Sequence, residues 1–113
     1  MRIGRTYQFE AAHWLPTVAE DHKCRRLHGH QYTVEVMVEG AMREDGMVLD
    51  FAEIDGWMMP VIADLDHTTL NNIVALDIPT AEVLSRYILG RLPKVVASVK
   101  VWENNRSWAE STR

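Results

Sequence analysis

His28-Gly29-His30-Gln31-Tyr32-Thr33-Val34-Glu35-Val36-Met37-Val38-Glu39 alternates with a period of two. Tyr32, Val34, Val36 and Val38 fall on one face; Gln31, Thr33, Glu35 and Glu39 fall on the other. That pattern predicts a strand packed on one side and wetted on the other. His28 and His30 have the parity of the apolar face, so the packed face ends in two imidazoles one strand step apart. Gly29 between them keeps the opposite face clear for close approach of another group.

The neighbouring segments repeat the arrangement. Over residues 3–13, Ile3, Tyr7, Phe9 and Ala11 share a face, opposed by Thr6, Gln8 and Glu10, with Arg5 interrupting the apolar side. His13 continues the apolar parity. If these two strands form an antiparallel hairpin, the loop joins His13 to His28 and all three histidines meet at one end of the sheet. A third strand is expected over 95–103, with Val95, Ala97, Val99 and Val101 inward, Ser98 and Lys100 outward, and Glu103 in line with the inward set.

Gly40 and Asp45-Gly46 mark a turn, and Met47-Val48-Leu49 a brief extended stretch. Asp50 followed by Glu53 resembles a capping box. Phe51, Ile54, Met58, Ile62 and Leu65 then follow helical spacing, with Pro60 expected to kink or break the helix. A second helix starts at Pro79-Thr80 with Thr80 as N-cap, carries the stripe Val83, Leu84, Tyr87, Ile88 and Leu92, and stops at Pro93. Ser107 to Arg113 adds a short fourth strand. The expected architecture is α+β: an antiparallel four-stranded sheet, with two helices inserted between strands 2 and 3 and packed on one face.

Composition fits a single domain over residues 1–113. Hydrophobic residues make up 47 % of the 113 residues and charged residues 25 %, the balance of an ordinary globular chain. The net charge of -4 argues against a general nucleic-acid binder. No apolar run approaches the ~18 residues of a membrane span, and the N-terminal residues lack a signal-peptide core. The lone cysteine forbids an internal disulfide. A cytoplasmic protein is expected, with neither nucleic acid nor membrane as partner.

Three neutral imidazoles with an open fourth position are a catalytic zinc arrangement; the plain alternative is three ordinary histidines, one of them capping the core. Cys24 lies four residues before His28 among Lys23, Arg25 and Arg26, cations that favour a thiolate. That thiol suits a base or nucleophile, a fourth zinc ligand, or an inert buried group. Asp66 beside His67 can orient and polarise the imidazole if a turn brings them together; otherwise they are a loop carboxylate and a surface histidine. His22 reads as a solvated loop residue. Glu103 is either a strand-end charge or a carboxylate that accepts two hydrogen bonds from an amino-pyrimidinone edge.

Phe9-x-Ala11-x-His13, Cys24-x-x-x-His28-Gly29-His30, Asp50-Phe51, Leu65-Asp66-His67, Leu70-Asn71, Pro79-Thr80-x-Glu82 and Trp102-Glu103 together resemble the 6-pyruvoyl-tetrahydropterin synthase family, over nearly the whole chain. The similarity is greatest to its bacterial 6-carboxytetrahydropterin synthases of the queuosine (7-deazaguanine) pathway. The resemblance implies a tunnelling fold, in which sheets of neighbouring subunits join into trimeric barrels and two trimers stack as a homohexamer with active sites between subunits. It implies Zn2+ on His13, His28 and His30, Cys24 as catalytic cysteine, Asp66 and His67 as its partner dyad, and Glu103 as the pterin anchor. The implied reaction is a lyase conversion of dihydroneopterin triphosphate to 6-carboxytetrahydropterin, acetaldehyde and triphosphate, with Lys23, Arg25 and Arg26 near the triphosphate. Three residues between Cys24 and His28 favour this branch over the pyruvoyl-forming enzymes, whose spacing is longer, and over the folate-linked branch, which carries glutamate in place of the cysteine. The pyruvoyl reaction and a non-catalytic zinc or pterin binder remain the alternatives.

Overall fold

Alternating hydrophobicity builds two long strands, β1 (Arg2–His13) and β2 (His28–Glu39), in the computed structural model of residues 1–113. They pair antiparallel in unbroken register from Arg2↔Glu39 to His13↔His28. The chain continues through α1 (Phe51–Leu65), β3 (Thr68–Thr69), α2 (Ala81–Gly90), β4 (Val96–Trp102) and β5 (Trp108–Thr112). The sheet runs β3-β1-β2-β4-β5.

The sheet is therefore five-stranded and mixed, where four antiparallel strands are expected from the sequence. The additional strand, β3, lies between the two helices and pairs parallel to β1 at Ala11↔Thr68 and Ala12↔Thr69. Two residues are too few to show a period, which is why the pattern hides it.

The inward face holds Phe9, Tyr32, Val34, Val36, Val38, Val99 and Val101, all buried against Ile54, Met58, Val61 and Leu65 of α1 and Leu84, Ile88 and Leu89 of α2. Both predicted N-caps form. Asp50 accepts from Ala52 N at 2.9 Å and Thr80 Oγ1 from Val83 N at 3.2 Å. Neither helix is long and apolar enough to cross a membrane.

One local expectation fails, and the break expected at Pro60 does not occur. α1 runs through Pro60 without ending. The carbonyl that loses its donor belongs to Gly56, and both residues are on the exposed side, where the carbonyl is open to solvent. In β4, Val96 is buried and Val95 is 45 % exposed, opposite to the expected parity. A bulge explains this: Val38 pairs with Val96 but Met37 with Ser98, so Ala97 is the extra residue that flips the faces. From Val99 to Val101 the expected parity is restored, and Glu103 lies one residue beyond the end of β4 rather than within it.

Candidate metal centre and surrounding acid–base groups

The hairpin register decides the site. His13 and His28 form the last cross-strand pair, and His30 sits opposite Ala11. The three imidazole rings stand edge to face, with centroids 4.6 Å apart for His13–His28, 5.1 Å for His13–His30 and 5.0 Å for His28–His30. One nitrogen from each lies within 4.8 Å of the others. Tyr32, fully buried and stacked on Phe9 at 5.0 Å, forms the floor beneath.

Tautomers follow from backbone partners. His13 Nδ1 lies 2.7 Å from the carbonyl of Pro79, and His28 Nδ1 lies 2.7 Å from that of Arg26. A carbonyl only accepts, so each Nδ1 donates, and in the neutral ring Nε2 then carries the lone pair. His13 Nε2 is buried and has no hydrogen-bond partner. Leaving such an acceptor unpaired costs ~1–3 kcal/mol, which a cation held between the three nitrogens would offset. Burial lowers the pKa of His13 and of His30, so both favour the neutral, ligating form. The donor set thus fits a metal ion: three imidazoles, two of them oriented by backbone carbonyls.

Glu103 lies in the β4–β5 turn, where its N–H donates to Ser107 O at 3.0 Å. Its negative charge acts on both His13 and His30 against the effect of burial. With His30 and Trp102 it lines an open cleft of about 750 Å³ that runs along the polar side of the sheet, past Gln8, Gln31 and Thr33. Trp102 is fixed there by its Nε1–H, which donates to Glu35 at 2.5 Å.

Asp66 and His67 do meet. Asp66 is the C-cap of α1, and His67 takes a left-handed φ of +57° that turns its ring back. Nδ1 then lies 2.9 Å from Asp66 Oδ2. The Asp66 carboxyl is held below the usual carboxylate range, first by the Glu10 N–H and then by His67; the Asp66 hydrogen bond and charge raise the His67 pKa.

Cys24 lies in a 3-10 turn, Lys23–Arg25, of the β1–β2 loop, free and half-buried. Its backbone anchors the loop: the carbonyl accepts from Leu15 N at 2.8 Å, and its N–H donates to His22 Nδ1 at 3.0 Å. His22 is exposed as expected, yet it also caps this turn. Arg25 is committed to the carbonyl of Val18 at 2.8 Å. Within one chain the thiol makes no contact with the Asp66–His67 pair, so the structure gathers the metal centre and Glu103 and leaves Cys24 and the dyad on separate elements.

Two participants escaped the sequence reading. The carbonyl of Pro79, which orients His13, carries no side-chain signal at all. Asn71 carried a signal only as part of Leu70-Asn71; its amide clamps Trp14, accepting from its N–H at 3.0 Å and donating to its carbonyl at 2.8 Å. That fixes the chain immediately after His13.

Comparison with known proteins agrees with this architecture. The family model described as 6-pyruvoyl tetrahydropterin synthase matches residues 2–113. A Synechocystis protein named 6-carboxy-5,6,7,8-tetrahydropterin synthase is 36 % identical over 117 residues, covering 95 % of this chain and 89 % of its own. A Pyrococcus furiosus protein named dihydroneopterin monophosphate aldolase is 32 % identical over 115 residues, covering 96 % of this chain and 95 % of its own. The 6-pyruvoyl tetrahydropterin synthase of Caenorhabditis elegans superposes with a TM-score of 0.90 at 24 % identity, over 100 % of this chain and 95 % of that one, and so shares the fold. A three-histidine centre at the end of a β-hairpin, and a match along nearly the full length, place this chain in the 6-pyruvoyl tetrahydropterin synthase family.

Proposed function

We propose that this protein is a zinc-dependent 6-carboxytetrahydropterin synthase, a carbon–carbon lyase that converts dihydroneopterin triphosphate to 6-carboxytetrahydropterin, acetaldehyde and triphosphate in queuosine (7-deazaguanine) biosynthesis. The observation that carries the reading is the centre of His13, His28 and His30, with its orphaned buried Nε2, beside a carboxylate at the strand end. Membership of a pterin-synthase family and the name of the Synechocystis relative supply the substrate class.

In this reading His13, His28 and His30 hold the ion, which when bound acts as a Lewis acid toward the side-chain hydroxyls. Glu103 accepts hydrogen bonds from the amino-pyrimidinone edge of the pterin and fixes the ring beside the metal centre. Cys24 removes a carbon-bound proton from the side chain. His67, oriented through Nδ1 by Asp66, moves a proton on the other face. Lys23 and Arg26, which carry no ion pair, are available to the triphosphate. The two terminal side-chain carbons depart as acetaldehyde after triphosphate leaves and water is taken up.

Cys24 and the dyad require assembly to act together. The outer edge of β1 pairs with β3 only at Ala11 and Ala12, and β5 ends the other side of the sheet, so both edges offer unpaired backbone. Edge pairing between copies builds a barrel, and the reading takes the assembly as a homohexamer of two stacked trimers, with each site completed by a neighbour. A cytoplasmic setting suits the free thiol.

The aldolase name of the Pyrococcus furiosus relative makes a second reading specific. Product analysis from dihydroneopterin triphosphate tests the three outcomes. Acetaldehyde with 6-carboxytetrahydropterin supports the proposal. A pyruvoyl pterin without acetaldehyde assigns the earlier-stopping reaction. A two-carbon aldehyde that keeps its phosphate assigns aldol cleavage.

A further inference from the structure

Glu10 has no role in the reading above, yet it touches the Asp66–His67 pair at three points. Its N–H donates to Asp66 Oδ1 at 2.9 Å, and its carbonyl accepts the His67 N–H at 2.6 Å. Its carboxylate Oε2 lies 3.9 Å from His67 Nε2. The remaining ring nitrogen, Nδ1, lies 2.9 Å from Asp66 Oδ2. Both nitrogens of one imidazole therefore face carboxylates, one from the cap of α1 and one from β1. A left-handed φ at a non-glycine residue persists only when surrounding contacts hold it. Here Glu10 and Asp66 supply those contacts.

The placement points at the site. Glu10 alternates outward on β1, between Phe9 and Ala11, three residues before His13. Glu10 and His67 line a cavity of about 580 Å³ together with His30 and Thr69. A residue that merely closed a turn would need only its backbone. Glu10 adds a carboxylate at the one ring nitrogen that Asp66 leaves free.

We propose that Glu10 is a positioning residue for His67: its backbone docks the Asp66–His67 turn onto β1, and its carboxylate keeps Nε2 protonated and aimed into the cavity beside His30. This rests on the reading of His67 as a proton-moving group. The groups facing His67 are Asp66 from α1 and Glu10 from β1, with His30 of β2 across the cavity. The Asp66 hydrogen bond and charge raise the His67 pKa most, and the Glu10 charge adds in the same direction. A raised pKa keeps the ring cationic to higher pH, so removing the Glu10 charge lowers the pH at which the proton is lost. Both side chains are largely exposed, so water and salt weaken the coupling.

Glu10→Gln tests this, because it removes the charge and leaves both backbone bonds. The His67 ring is followed by NMR titration in the zinc-loaded protein, assigned by its disappearance in His67→Gln. The expected result is a lower His67 midpoint in Glu10→Gln than in the wild type, by less than in Asp66→Asn. The difference should shrink at high salt, and Glu10→Asp should keep part of the wild-type shift. With dihydroneopterin triphosphate, the alkaline limb of kcat/KM moves down by the same amount as the midpoint. An unchanged or raised midpoint overturns the proposal, and so does a lowered midpoint with an unmoved alkaline limb. If the wild type does not turn over this pterin, the functional reading fails alone, and the titration still decides whether Glu10 sets the charge of His67.

Discussion

The side-chain amide of Asn71 pairs with both the N–H and the carbonyl of Trp14, as a neighbouring strand would. It thereby continues, two residues further along, the short parallel ladder that β3 makes with Ala11 and Ala12. The clamp holds the segment carrying Asp66 and His67 against the end of the strand carrying His13. Asn71→Ala leaves two half-buried backbone groups unpaired, so it should lower stability by ~1–3 kcal/mol in chemical denaturation. Amide exchange should show the Trp14 N–H losing protection first. Unchanged stability and protection would show that water replaces the clamp without loss.

Metal content checks the ligand set. Purified protein should carry about one zinc per chain, as an open three-histidine site does. His28→Ala should lose most of it while the hydrophobic core, which His28 does not join, stays folded. Full zinc retention in His28→Ala would remove His28 from the ligand set.

Acid should find the Asp66 contact. Its carboxyl is held below its ordinary value by the Glu10 N–H and by His67. A depressed folded-state pKa stabilises the fold above the unfolded value, ~3.9, and that contribution is lost as pH falls through the folded value. Asp66→Asn should therefore be less stable than the wild type near pH 7, and the gap should close as pH drops below about 4. A gap independent of pH would mean the loss is steric. Asp55, held low by the Tyr7 hydroxyl and Arg5, adds an acid limb of the same sign that both proteins share.

Much of this was legible because buried faces write themselves into the sequence with period two. The parity of His13, His28 and His30 with Phe9, Tyr32 and Val34 predicted their meeting, and the hairpin register delivers it. Caps at Asp50 and Thr80 were equally readable, since a short polar side chain before an apolar stripe has one economical use. What stayed hidden depends on backbone geometry. The bulge at Ala97 inverted the faces of Val95 and Val96, and no residue type announces it. β3, at two residues, is too short to show a repeat. The Pro79 carbonyl that orients His13 lies 66 positions away and has no side chain to recognise. His67 reaches Asp66 only through its left-handed turn, which adjacency in sequence left open.

Cys24 separates an enzyme from a binder. Cys24→Ala should keep its zinc and its affinity for the pterin, because neither depends on the thiol in this account. Turnover should fall at least about a hundredfold, the low end of what a positioned general base contributes. Loss of zinc in this variant would make the thiol a fourth ligand instead. Glu103→Ala should do the converse, keeping zinc and losing pterin affinity in a binding titration.

The most direct test of the central claim is a metal titration read by acetaldehyde. Protein stripped by chelator is given dihydroneopterin triphosphate and increasing zinc, and acetaldehyde release is followed. The account predicts no release from the stripped protein, recovery that saturates near one zinc per chain, and no recovery in His13→Ala. Acetaldehyde formed at the same rate by the stripped protein would contradict it.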